Sequence, residues 1–386
     1  MPTLSPLSLG VLGTTHKENE FRLPIHPQHF EAIPPDLRKS IFLEEGYGSR
    51  FGTDPEQLVE LFAGVRKQHE LLEECDALLL PKPLAEDLTE MHEGQALWGW
   101  PHCVQDEKLT QNAIDRRLTL IAWEAMNLWR SDGTFNLHVF HKNNELAGYC
   151  SVLHALRLMG LTGQYGRPLR AAVISFGATA RGAVTALTNL GIFDVTVLSH
   201  REPVEVASPV HSATILQYEA EEDDPSRLDV VSDEGSSPMA EVLAEHDIVV
   251  NCVLQDPDAP YMFVSNDDLG LFAPGSLIID VSCDEGMGFE WARPTTFSDP
   301  MFSVGDGTHY YAVDHSPSYL WNSATWEISG ALLSYLPVVM AGPEAWERDE
   351  TIRRAIEIRD GVIRNPKILS FQNRAPEYPH GKISEP

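Results

Sequence analysis

Two kinds of residue in this chain are spaced for chemistry. The first is a pair of glycines, Gly177 and Gly182, in the run RAAVISFGATARGAVTALTNLGIFDVTVLSHR from Arg170 to Arg201. The second is a set of polar residues that follow short apolar runs. Lys82 follows Leu78-Leu79-Leu80-Pro81, His102 follows Trp98-Gly99-Trp100-Pro101, Glu124 follows Leu118–Trp123, and Asp284 follows Leu277–Cys283. A glycine-bearing turn that opens a helix offers backbone N–H groups and the positive end of a helix dipole to a phosphate. An ammonium, an imidazole and carboxylates at sheet edges can bind an anion, polarise a carbonyl and move protons. Plainer readings stay open at this point. A strand-end His serves as a hydrogen-bonded structural residue, Lys82 between prolines is a surface residue, and Asp284 caps the next turn.

The glycines sit in one βαβ unit. Ala171–Phe176 is an apolar run of strand length. Ala183, Val184, Leu187 and Leu190 recur at helical spacing after Gly177, and Val195–Leu198 is a second β-branched run. A dinucleotide fingerprint G-x-G-x-x-G laid on Gly177 and Gly182 has Thr179 in the middle, which offers a hydroxyl where close backbone approach is usual. The backbone of Gly177, Ala178, Thr179, Ala180 and Gly182 is the expected pyrophosphate cradle. At the end of the second strand no carboxylate precedes Glu202; Ser199 and Arg201 stand there instead. An acidic residue would bond a ribose 2′-hydroxyl, whereas a hydroxyl and a guanidinium suit a 2′-phosphate, so NADP(H) is the expected cofactor. Arg201 as a solvated loop residue is the alternative.

Strand-like runs at Leu7–Leu12, Ser40–Glu44, Cys75–Leu80, Ala96–Trp100 and Leu118–Trp123 make the first 140 residues a βαβ-type domain. A helix from Asn143 to Met159 leads into the nucleotide unit. Helices are expected over Pro55–Gln68, over Ser323–Leu336 with Pro337 as its stop, and over Glu344–Glu357. The acidic, Ser-rich residues 218–239 read as a solvated surface excursion, and the tail from Arg374 as poorly ordered. The sequence has 386 residues, of which 43% are hydrophobic, enough for more than one core. Its net charge of −29 repels nucleic acid and anionic membranes, so neither is an expected partner. No uncharged apolar run is long enough to span a bilayer. The start MPTLSPLSLGVLG lacks a basic stretch followed by a long apolar one. The cysteines at 75, 103, 150, 252 and 283 lack metal-ligand spacing. A cytoplasmic protein with reduced cysteines and no metal is expected.

The motifs HKENEFRLPIHPQHF (16–30), LLLPKPL (78–84), LWGWPHCVQ (97–105), IAWEAMNLW (121–129), HVFHKNNELAGY (138–149), SFGATARGA (175–183) and IDVSCDEGMGFEWARPTTFSDPMF (279–302) resemble the alanine dehydrogenase/pyridine nucleotide transhydrogenase superfamily. Within it they are most like the N5-(carboxyethyl)ornithine synthase branch. The resemblance implies an α/β fold of two doubly wound, Rossmann-like domains with an interdomain cleft, residues 1–142 plus 318–386 forming the substrate domain and 143–317 the dinucleotide-binding domain. It implies Arg22 and Lys82 as substrate-binding residues, His102 and Asp284 as catalytic ones, and a homo-oligomer. It also implies small-molecule substrates, a 2-oxo acid such as pyruvate and an amine.

The expected reaction is NADPH-dependent reductive condensation of the oxo acid with the amino group of an amino acid such as ornithine. Arg22 would grip the oxo acid's carboxylate, Lys82 and His102 would polarise its carbonyl, and Asp284 would orient His102 or shuttle the amine proton. His141, Lys142 and Arg293 are candidates for anchoring a second carboxylate. Two alternatives remain: reductive amination with ammonia, as in alanine dehydrogenases, and nucleotide binding without turnover.

Overall fold

A computed structural model describes residues 5–201, 213–220, 227–232 and 235–383. The chain divides into two compact units, Met1–Phe140 with Trp321–Pro386, and His141–Leu320. The first unit opens with β1 (Leu9–Val11), α1 (Pro35–Arg38), β2 (Ile41–Glu44), α2 (Pro55–Leu61), β3 (Gly64–Arg66), α3 (Gln68–Glu74), β4 (Ala77–Leu79), β5 (Ala96–Gly99), α4 (Glu107–Asp115) and β6 (Thr119–Ala122). A hairpin of β7 (Asn127–Trp129) and β8 (Phe135–His138) follows. Strands β1 to β6 pair in parallel, and β1 lies between β2 and β4. The strand order therefore reverses at β1, and the crevice beyond the carboxyl ends of β1 and β4 is where such sheets take ligands.

The second unit opens with α5 (His141–Leu158), β9 (Arg170–Ile174), α6 (Ala178–Asn189) and β10 (Asp194–Ser199). It continues with β11 (Ala213–Ala220), β12 (Leu228–Ser232), β13 (Gly235–Pro238), β14 (Ile248–Asn251), β15 (Met262–Val264), β16 (Leu277–Asp280), β17 (Gly288–Phe289), β18 (Met301–Val304) and β19 (Thr308–Tyr311). Nine of these strands form one sheet in the order β13-β12-β11-β10-β9-β14-β16-β19-β18. Here β9 stands at the reversal. Ala171–Ile174 and Leu277–Asp280 are buried on both faces, as central parallel strands should be.

The chain then returns to the first unit through the helices Trp321–Leu332, Leu336–Met340, Pro343–Arg348 and Glu350–Ala355, and adds β20 (Ile356–Arg359) and β21 (Val362–Ile363) to the first sheet. β20 pairs antiparallel to β6. Among the described residues no helix is long and apolar enough to cross a membrane.

Several expectations need correction. The 55–68 helix ends at Leu61, because Phe62 caps it in extended backbone and Gly64 begins β3. Pro337 does not stop a helix; it stands in the first turn of the next one, where its missing N–H is no loss. The 344–357 helix breaks at Asp349, whose side chain accepts from Ile352 N and caps a new start. The described part of 218–239 is largely exposed, as expected, but is ordered as antiparallel sheet, β11 to β13; residues 221–226 and 233–234 of that stretch lie outside the described residues. The described part of the tail is anchored: Arg374 is buried, with Nε on Gln372 Oε1 (2.6 Å) and Nη1 on Gln111 Oε1 (2.7 Å), and residues 384–386 lie outside the described residues.

Candidate active site

In the first unit the carboxyl edge of the sheet is tied together by side chains. Glu44, at the end of β2, accepts the N–H groups of Gly13 and Thr14 at 2.7 and 2.8 Å, which pins the loop after β1. Thr15 Oγ1 lies 2.8 Å from the Lys82 carbonyl oxygen, joining the loops after β1 and β4. Gly99 lets the loop after β4 approach β5, since a Cβ there would lie 1.9 Å from Leu80 O. Trp100 N donates to Pro81 O at 2.9 Å. Lys82 and His102 are thereby carried on neighbouring, bonded loops.

Arg22 is buried, with Nε and Nη2 both on the Glu20 carboxylate at 2.8 and 2.5 Å. Its guanidinium lies 5.0 Å from the Trp100 ring centre, beside the loop that carries His102. Sequence reasoning missed Glu20; the E-F-R spacing was its only signal. His102 has a left-handed backbone, φ 47°, and donates its N–H to Glu124 Oε1 at 2.7 Å. Glu124 Oε2 is buried without a hydrogen-bond partner. Burial, and then the charge of Glu357 on β20, push the Glu124 carboxyl up to about 8, against a smaller opposing effect of Lys82. Arg22, Lys82, His102 and Glu124 thus belong to one edge of one sheet. The tryptophans beside them are core: Trp98, Trp100 and Trp123 are buried and pack edge to face.

In the second unit Gly177 caps α6, and the first intrahelical bond runs from Arg181 N to Gly177 O at 3.1 Å. The N–H groups of Ala178, Thr179 and Ala180 are therefore without intrahelical acceptors. Gly177 is exposed, and nothing lies within 4 Å of where its Cβ would be, so a phosphate can approach the backbone.

The register of the fingerprint differs from the one expected. The left-handed position of the turn is Ser175, φ 87°, and the small buried helix residue is Ala180. The chain thus reads Ser175-x-Gly177-x-x-Ala180. Gly182 packs helix on helix instead: a Cβ on it would lie 1.7 Å from Glu145 O, and one on Gly148 would lie 1.9 Å from Thr179 O. It faces α5, not the turn.

At the end of β10, Ser199 is buried and its Oγ accepts Arg201 N at 3.1 Å, while Arg201 is exposed. An exposed glycine, a helix end and an exposed guanidinium fit a dinucleotide phosphate. Asp280, the last residue of β16, is buried; it accepts Asn251 Nδ2 at 2.9 Å, Cys283 N at 3.0 Å and the Tyr310 hydroxyl at 2.5 Å. Asp284 follows it, half-buried, and burial together with the Asp280 charge pushes its carboxyl up to about 6. Lys142 pairs with Glu145 at 2.9 Å, and Arg293 stacks on Phe302 at 4.5 Å. Among the described residues no three His, Cys, Asp or Glu side chains converge as a metal site.

Comparison with known proteins agrees with this architecture. The C-terminal domain of the family described as alanine dehydrogenase/PNT matches residues 159–366, and its N-terminal domain matches residues 13–146. An N(5)-(carboxyethyl)ornithine synthase of Clostridium botulinum is 24% identical over 340 residues, 86% of this chain and 94% of that protein. An alanine dehydrogenase of Halomonas elongata is 26% identical over 303 residues, 74% of this chain and 75% of that protein. The solved structure of an L-alanine dehydrogenase superposes with a TM-score of 0.72 at 21% identity, covering 94% of this chain and 98% of that one; at that identity it speaks for the fold.

Proposed function

The chain belongs to the alanine dehydrogenase/PNT family of NAD(P)-dependent oxidoreductases acting on amino and imino groups, and we propose that it joins a 2-oxo acid such as pyruvate to the amino group of an amino acid such as ornithine, with NADPH as reductant. The observation that carries the reading is the shared sheet edge of Arg22, Lys82, His102 and Glu124, a set suited to one small keto acid. The likeness over most of its length to N(5)-(carboxyethyl)ornithine synthase supports the choice of amine. Arg201, with no carboxylate at the β10 end, supports NADPH.

In this reading the amine attacks the oxo carbon, forming a C–N bond, and the carbonyl oxygen takes up a proton. That oxygen then leaves as water as the C=N bond forms. A bound dihydronicotinamide supplies the hydride that reduces the imine carbon, and one proton from solvent completes the secondary amine. Arg22 holds the oxo acid's carboxylate through the guanidinium edge that includes Nη1, because Glu20 already occupies Nε and Nη2. Lys82 donates to the carbonyl oxygen, and His102 delivers the proton with which that oxygen leaves. Asp284, losing its proton just below neutral, accepts the proton released by the attacking amine. Glu124, protonated at neutral pH, keeps a neutral acceptor on the His102 backbone.

Initial rates with pyruvate, NADPH and either ornithine or ammonia test the reading. A clear preference for ornithine supports it, and a clear preference for ammonia replaces it with an alanine dehydrogenase-like reaction. In the same assay His102→Ala should cut turnover by at least ~100-fold while NADPH still binds; near-normal turnover would remove His102 from the role.

A further inference from the structure

If the amine substrate is an amino acid, its own carboxylate and ammonium need partners. Of the candidates proposed from the sequence, Lys142 is engaged by Glu145 and Arg293 is stacked on Phe302. The first unit offers a different place. The loops after β1 and β2 form the walls of an open cavity of about 390 Å³, lined among others by Thr15, Lys17, Glu20, Phe21, Glu45 and Arg50. That volume is in the range of small-molecule sites.

The walls of the cavity are held from behind. Glu44 pins Gly13 and Thr14, as above. Arg50 sits in a short 3₁₀ turn, Ser49–Phe51, flanked by Gly48 and Gly52, both left-handed with φ 75° and 74°. A Cβ on Gly48 would also meet Thr53 Oγ1 at 2.5 Å, so this turn has little freedom to relax. The Arg50 guanidinium lies 3.7 Å from the Phe21 ring centre and 5.9 Å from that of Trp321. Stacking fixes the plane of the fork and leaves its edge for a carboxylate. Glu45 lines the same cavity, and both it and Arg50 are exposed. Two wall residues lead toward the oxo-acid groups: Thr15 contacts the Lys82 carbonyl, and Glu20 grips Arg22.

We propose that this cavity binds the amino-acid headgroup of the amine substrate, Arg50 taking its α-carboxylate and Glu45 its α-ammonium, so that the co-substrate is a diamino acid whose reacting amine lies at the far end of its side chain. The proposal rests on the condensation reading above. Arg50 supplies the geometry that ammonia would have no use for.

The test compares ornithine with 1,4-diaminobutane, which keeps the amine and lacks the carboxylate, in the wild type, Arg50→Gln and Arg50→Lys. Direct calorimetric titration of ornithine accompanies the turnover assay. A charged, bidentate contact predicts that Arg50→Gln weakens ornithine about 10- to 100-fold in KM and in binding. Arg50→Lys should recover only part of this, and 1,4-diaminobutane should respond little to either change. Ornithine turnover that is indifferent to Arg50→Gln overturns the site and leaves the condensation standing. Ornithine binding that depends on Arg50, without turnover in the wild type, keeps the site and overturns the condensation. Neither binding nor turnover overturns both.

Discussion

Glu124 accepts the backbone N–H of His102 through Oε1 at 2.7 Å, while its Oε2 is buried with no hydrogen-bond partner. A buried carboxylate with an unused oxygen is costly, so the acid keeps its proton. Its carboxyl is pushed from 4.5 up to about 8 by burial first and Glu357 second. Since the folded state holds this proton more tightly than the unfolded chain, the contribution is fully present below pH ~4.5 and is lost as pH rises through about 8. Glu124→Gln should therefore flatten the fall in urea midpoint between those limits and exceed the wild type in stability above pH 8. Parallel curves for the two proteins would show that Glu124 is ionised in the folded state.

Asp284 gives a different pH signature, in rate rather than stability. With its carboxyl pushed up to about 6, the pH profile of kcat/KM should show an acid limb near that value, activity rising as the proton leaves. Asp284→Asn should lower kcat and erase the limb. A limb that stays in place in Asp284→Asn assigns the ionisation elsewhere.

Arg201 is exposed just beyond the end of β10, with Ser199 holding its backbone N–H. Arg201→Ala should raise the KM for NADPH about 10- to 100-fold, the range for a lost charged hydrogen bond, and change that for NADH by less than about threefold. Equal effects on both coenzymes would mean that Arg201 does not read the 2′-phosphate.

Gly182 and Gly177 should separate stability from coenzyme binding. Gly182→Ala sets a methyl against Glu145 O, which α5 and α6 can relieve only by moving apart. A loss of ~1–3 kcal/mol or more is expected in chemical denaturation, typical of overpacking. Gly177→Ala meets no protein atom, so it should cost little stability and mainly weaken coenzyme binding. The reverse pattern would restore Gly182 to the turn.

The parts of the site readable in the sequence were strand ends. Buried parallel strands are written as apolar runs, and Pro81, Pro101 and Gly177 punctuate them, so Lys82, His102 and the α6 start could be located by sequence alone. What was not readable depends on partners far along the chain. Gly182 takes its meaning from Gly148 on another helix. The raised pKa of Glu124 comes from burial first and then from Glu357, in a strand that joins the sheet from the far end of the sequence. The Glu44 clasp on Gly13 and Thr14 is a carboxylate whose role no spacing rule announces, and the E-F-R spacing was the one hint of the Glu20 clamp on Arg22. The 344–357 stretch has helical spacing throughout, and only the Asp349 cap and the vacancy beside β6 divide it into helices and a strand.

The most direct test is isotopic. Pyruvate, ornithine and NADPH carrying deuterium at the transferable position of C4 are incubated with the enzyme, and the products are read by mass spectrometry. One product is expected, the sum of pyruvate and ornithine less water plus two hydrogens, with a single deuterium on the carbon that was the pyruvate ketone. Deuterated alanine from traces of ammonia, deuterated lactate, or oxidised coenzyme with no carbon–nitrogen product would contradict it.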